Sequence, residues 1–202
     1  GITAVRTRKR LTALPSSRAR RRTCFFIGSA QSRFFVTPGM TEVLTLADIA
    51  FDDAAALLHR FGLSLQRVAD GAPIPGSYWG EREAGIIGHT VYARGDTPVH
   101  SLLHEAGHLI VLPPDRRAAV HTDATDSIPE EDAVCVLQGL LGDALPGVGR
   151  DRVLADMDAW GYTFRLGSAR AYVDGDAEDA WAWLQAHGLI SESRELLLTR
   201  RK

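Results

Sequence analysis

The chain has 202 residues, 45% of them hydrophobic and 24% charged, with a formal net charge of -2. That is globular composition, enough for one sizeable core. No apolar run approaches the roughly 20 residues of a spanning helix, which excludes a membrane protein built on such helices. Two cysteines, Cys24 and Cys135, exclude a disulfide scaffold and a four-cysteine zinc finger, and they fit a reducing, cytoplasmic setting.

The net charge hides an asymmetry. Residues 1–39 hold nine of the 23 basic residues and none of the 25 acidic ones, so that segment is +9 and the rest is −11. The stretch TRKRLTALPSSRARRRT lacks apolar periodicity, so a disordered basic arm is expected there. It reads as a nucleic-acid-binding arm, a transit peptide, or translated upstream sequence before a start at Met40. Residues 40–202 read as a single domain, whose excess acidity makes it a poor nucleic-acid binder.

From Met40 the pattern becomes regular. Residues 46–61 have helical apolar spacing at Ile49, Ala50, Ala54, Leu57, Leu58 and Phe61, and Gly62 is a natural stop. LSLQRV (63–68) alternates like a half-buried strand, and GAPIPGSYWG (71–80) is a loop. Tyr78 and Trp79 in that loop would plug the core or line a groove. AGIIGHTVYAR (84–94) reads as a strand that His89 and Thr90 interrupt, and Gly95-Asp96 as a turn. Thr97 is placed to cap a helix over 99–111, with Pro98 at its first position and Pro113-Pro114 beyond its end. Residues 115–127 read as loop. A second helix is expected from about Pro129 to Leu141, with Ser127 and Glu130 forming a capping box. Further helices are expected at 150–160 and 176–187, the last ending at Gly188.

The chemistry sits in His104-Glu105-Ala106-Gly107-His108, an HExxH. Residues four apart share a helix face, so both imidazoles can meet one metal ion. Glu105 lies about 100° round the helix from His104, where it can take a proton from a water the metal activates. An apolar stripe of Val99, Leu102, Leu103, Ala106, Leu109 and Ile110 covers the opposite face. Gly107 costs about 1 kcal/mol of helix propensity, which points to close packing against it. His100 continues the imidazole row, as a surface or supporting residue rather than a ligand.

Zinc needs a third protein ligand. Asp123, Asp126, Glu130, Glu131, Asp132 and His121 are the candidates. Glu130 is three, four, seven and eleven residues before Ala133, Val134, Leu137 and Leu141, so helical phase favours it; Glu131 and Asp132 flank that stripe as alternatives. Tyr92, Arg94, His121 and Tyr162 are candidate donors to a transition state. Cys135 reads as a small buried hydrophobe.

Two segments, HTVYARGDTPVHSLLHEAGHLIV (89–111) and EEDAVCVLQGLL (130–141), resemble the ImmA/IrrE type of compact gluzincin metallopeptidase over roughly 60 of the 202 residues. There a strand leads into the HExxH helix and a later Glu-x-x-Ala helix supplies the third ligand. The resemblance implies an α+β, zincin-like fold: a small sheet beside the active-site helix and a helical C-terminal half. It implies a cytoplasmic zinc metallopeptidase acting on a peptide or protein, with Zn²⁺ on His104, His108 and Glu130 and with Glu105 as general base. Gluzincins often place an Asp four residues after the ligand Glu to orient a zinc-bound His. Val134 stands there, so the acceptor must come from elsewhere: Asp126, Asp156 or a backbone carbonyl. The rival readings are a catalytically inactive, metal-binding regulatory module and a nucleic-acid-associated protein acting through residues 1–39.

Overall fold

The computed structural model describes residues 24–26, 42–78, 80–125 and 127–198. Apart from residues 24–26, a strand within the segment expected to be a disordered arm, the basic arm with its nucleic-acid reading lies outside the described residues, as do Trp79 and the candidate Asp126.

Helix α1 (Phe51–Arg60) buries Ala54, Leu57 and Leu58, and Gly62, at φ +75°, ends it as the spacing predicts. The expected first turn is separate: Leu46–Asp48 is a short 3-10 turn, after which Ile49 and Ala50 are extended. Strands β2 (Ser64–Arg67), β3 (Gly85–Ile87) and β4 (Thr90–Ala93) form one small sheet in the order β2-β4-β3. The β2 and β4 pair is parallel and the β3 and β4 pair antiparallel. The single strand expected over 84–94 is thus a hairpin. It turns at Gly88 (φ +59°) and His89, where the polar interruption falls. Beyond β3, residues 120–122 extend the edge: Gly88 N–H donates to Val120 O at 2.8 Å and Thr122 N–H to Ile86 O at 2.9 Å.

Helix α2 spans Val99–Val111, the predicted bounds. Its cap differs from expectation. Pro98 holds that position, and the Thr97 hydroxyl instead accepts the backbone N–H of Arg94 at 3.0 Å. Eleven of the thirteen residues are buried, and the two that are not are His104 and Glu105. A helix buried nearly all round is central rather than a surface element with one apolar face. The sheet lies on one side and helix α4 (Ile128–Asp143) on the other. The two helices meet at Gly107, where an added Cβ would come within 3.0 Å of Val134 Cγ1. That contact explains the glycine.

Short helix α3 (Pro114–Arg117) occupies part of the expected loop. Helix α5 (Arg150–Trp160) matches its predicted range, and Gly161, at φ +104°, ends it. Strand β5 (Tyr162–Phe164) pairs antiparallel with β1 (Cys24–Phe26). Helix α6 (Ala169–Gly175) was not read from the sequence, and α7 (Glu178–Ala186) closes the fold. The architecture is α+β with a helical C-terminal half, as expected. No helix among the described residues is long and apolar enough to cross a membrane. Cys135, on α4, is buried and disulfide-bonded rather than a reduced small hydrophobe, a departure from the expected reducing setting. The chain's other cysteine, Cys24, lies on β1, which packs against α4.

Arg117 ties these pieces together from a buried position. Its guanidinium donates to Leu112 O at 3.2 Å and Ile110 O at 3.5 Å, at the end of α2, and to Phe61 O at 2.9 Å, after α1. The carbonyls at a helix C-terminus have no partners inside the helix, so they need such a donor. Arg117→Met leaves buried carbonyls unpaired and is expected to cost about 2–3 kcal/mol of stability, read from the urea midpoint. An unchanged midpoint would show that these bonds are dispensable.

Candidate metal centre

His104 and His108 lie one turn apart on α2. Their Nε2 atoms face each other at 3.1 Å, with the rings nearly perpendicular. Glu131, in the first turn of α4, brings Oε1 to 3.4 Å from His108 Nε2. One atom from each of the three residues lies within 4.8 Å of the others. Ligands held 2.0–2.1 Å from a tetrahedral zinc are about 3.3 Å apart. Two of the observed spacings match that edge length.

Glu130, the expected third ligand, is not in this group. Its carboxylate accepts from Arg116 Nη1 at 3.2 Å and from the Thr125 hydroxyl. The capping box with Ser127 does not form either; Ser127 makes no side-chain cap bond. The physical reason lies in α4, which is buried on every side from Ala133 to Gly142. Helical phase therefore defines no single inward direction, and it cannot choose between Glu130 and Glu131. Asp132 is not in the group either; its backbone carbonyl accepts the Tyr172 hydroxyl at 3.3 Å.

Several of the other candidates disperse. Asp156 accepts from Leu44 N–H at 2.9 Å and Arg152 Nε at 2.7 Å, so it holds the chain's entry to the domain, not an imidazole. Arg94 is spent on Asp96 and on Ala72 O. Tyr92 alternates with the buried Val91 and Ala93, so it points to the other face of the sheet. His121 is exposed and bonds Thr122 Oγ1 at 2.9 Å. It belongs to a tight γ-turn, in which Asp123 N–H donates to His121 O at 2.8 Å and Thr122 takes φ +70°.

Behind the imidazoles is a residue that sequence reasoning missed. Gln138 is fully buried; its Oε1 lies 3.2 Å from His104 Nδ1, and its Nε2 donates to His100 O at 2.9 Å. The Tyr162 hydroxyl also bonds Gln138. Gln138 is one turn beyond Val134, on the same face of α4. The lone amide in the apolar run AVCVLQGLL was the available signal. His100 is buried as well, packed against Trp160 and Tyr162. Neither of its ring nitrogens has a partner among the described residues.

The electrostatics favour a cation here. Burial, and then His104, hold His108 well below the ordinary histidine range, so it is neutral at pH 7. Burial holds His100 down to about 3, with His104 and Arg82 adding to the effect. Neutral imidazole is the form that binds a metal. The Glu105 carboxyl is pushed well up, first by burial and then by Glu83, Glu131 and Asp123. Burial also raises Glu131, and raises Glu83 to about 7 against the opposing hydrogen bond from Trp160. Glu83, Glu105, Glu131 and Asp123 crowd together here, and a divalent cation would relieve that repulsion. His104, His108 and Glu131 thus offer two imidazoles and a carboxylate at a spacing that fits zinc.

No protein-family model matches the chain, and neither a curated protein nor a solved structure is found to be similar to it.

Replacing one carboxylate at a time separates the two glutamates. Glu131→Ala is expected to abolish stoichiometric zinc binding, measured by elemental analysis after dialysis, while Glu130→Ala retains it. Zinc retained by Glu131→Ala and lost by Glu130→Ala would reverse the assignment.

Proposed function

We propose that this chain is a zinc-dependent metallopeptidase of zincin-like fold. The observation that carries the reading is the meeting of three ligand atoms from two helices, His104 and His108 from α2 and Glu131 from α4, within 4.8 Å. Supporting it, the two α2 residues left open by packing are His104 and Glu105.

His104, His108 and Glu131 would hold the ion, the number of protein ligands that catalytic zinc uses. Zinc bound there supplies Lewis acidity, acidifying a water and polarising a peptide carbonyl. Glu105 stands next to His104 in the chain, on the open side of α2. Its carboxylate oxygen takes the proton from the attacking water and returns it to the leaving amine nitrogen, so the residue ends the cycle ionised as it began. Burial, and then the surrounding carboxylates, raise its basicity above that of an ordinary carboxylate, the direction a general base requires. The substrate class is a peptide or protein segment that can lie across the open side of α2.

The isosteric Glu105→Gln variant removes the proton acceptor and keeps the ligands. It is expected to bind one zinc per chain and to lose about 10²- to 10⁴-fold in kcat on a quenched-fluorescent peptide library. Full activity in that variant, or no zinc-dependent cleavage by the unaltered chain, would overturn the peptidase reading.

A further inference from the structure

The inference concerns the layer behind the ligands and rests on the metal-site reading above. We propose that Gln138 is the positioning residue for His104, an amide that fixes the ring's proton on Nδ1 and turns Nε2 towards His108 and Glu131.

The assignment follows from what each group can donate. The carbonyl of His100 can only accept, so the atom of Gln138 that meets it at 2.9 Å is the Nε2 donor. That leaves Oε1 to face His104 Nδ1 at 3.2 Å. An oxygen acceptor there requires a proton on Nδ1, and the neutral ring then carries its lone pair on Nε2. Nε2 is the atom that lies 3.1 Å from its counterpart on His108. The Tyr162 hydroxyl bonds the same amide, and its ring stands edge-on to His104, with centroids 6.0 Å apart. His104 is therefore met at its Nδ1 by Gln138 and packed against by the Tyr162 ring.

An amide suits this position for a second reason. Metal-bound histidines commonly donate to a carboxylate, which orients the ring and strengthens the ligand. Here Glu83, Glu105, Glu131 and Asp123 already repel one another. A fifth carboxylate in a fully buried site would add to that repulsion and would lose the donor that meets His100 O. Gln138 supplies the acceptor without the charge. Val134, one turn earlier, is kept for the contact with Gly107.

The test compares two near-isosteric variants of the full chain, Gln138→Met and Gln138→Glu, by two readouts. The first is zinc affinity against a chromophoric chelator. The second is the His104 tautomer in the metal-free chain, from long-range proton–nitrogen NMR. If Gln138 orients His104, the Met variant loses about 10- to 100-fold in zinc affinity and its Nδ1–H signature, while Glu binds zinc more tightly than Met. If Gln138 only fills space, the order reverses: Met is tolerated, and the buried charge of Glu is the harmful change. That reversal, or unaltered affinity in the Met variant, would overturn the proposal. The unaltered metal-free chain gives a check that needs no variant, because a proton on His104 Nε2 in place of Nδ1 would refute the assignment even if the variants fail to fold. A chain that shows Nδ1–H at His104 but binds no zinc would instead sink the metal reading on which this rests.

Discussion

The close crossing of α2 and α4 at Gly107 governs the rest of the molecule. With no side chain on Gly107, Val134 can come near enough for the first turn of α4 to lie beside the imidazole pair of α2. A Cβ there would stand 3.0 Å from Val134 Cγ1, so the helices would have to separate. Two features of the centre depend on that approach. Glu131, three residues before Val134, reaches His108. Gln138, four residues after it, reaches His104. One packing contact thus sets the distance of both the Glu131 carboxylate and the Gln138 amide from the imidazole pair. The propensity cost of a mid-helix glycine is small beside that geometric return.

The second constraint is electrostatic. Packing buries α2 almost completely and leaves His104 and Glu105 partly open, and it is on Glu105 that the charges of Glu83, Glu131 and Asp123 act. Desolvation keeps His100 and His108 neutral and drives the carboxyl groups of Glu83, Glu105 and Glu131 upward. Left alone, such a cluster opposes folding, since desolvated like charges repel. A divalent cation bound there would change the sign of the local balance. The same acidity that appears in the sequence as a −11 domain is, in part, the lining of this centre.

How far the sequence was legible depended on the kind of signal. The bounds of α2 were readable because prolines flank a strongly periodic run, and the HExxH spacing placed both imidazoles on one face. Gly107 announced a close neighbour without naming it. The choice between Glu130 and Glu131 was not readable. Phase arguments need an element with one wet side, and α4 is buried all round beyond its first turn. Glu130 then satisfies its burial through Arg116 and Thr125, partners that no periodicity reveals. Gln138 was hidden for a related reason: a single amide in an apolar run shows that something polar is needed, but not which helix supplies it. Strand β5 and helix α6 are three and seven residues long, too short for a periodic pattern to emerge. The state of Cys135 escaped because composition alone assigned the compartment.

The central claim is that one zinc ion sits on His104, His108 and Glu131. Anomalous diffraction at the zinc edge, from crystals of the zinc-loaded chain, tests it most directly. The account predicts a single strong peak bonded to Nε2 of His104, Nε2 of His108 and a carboxylate oxygen of Glu131, with the ring of His104 turned so that Nδ1 faces Gln138. A peak coordinated by Glu130, or no peak between the two imidazoles, would contradict it.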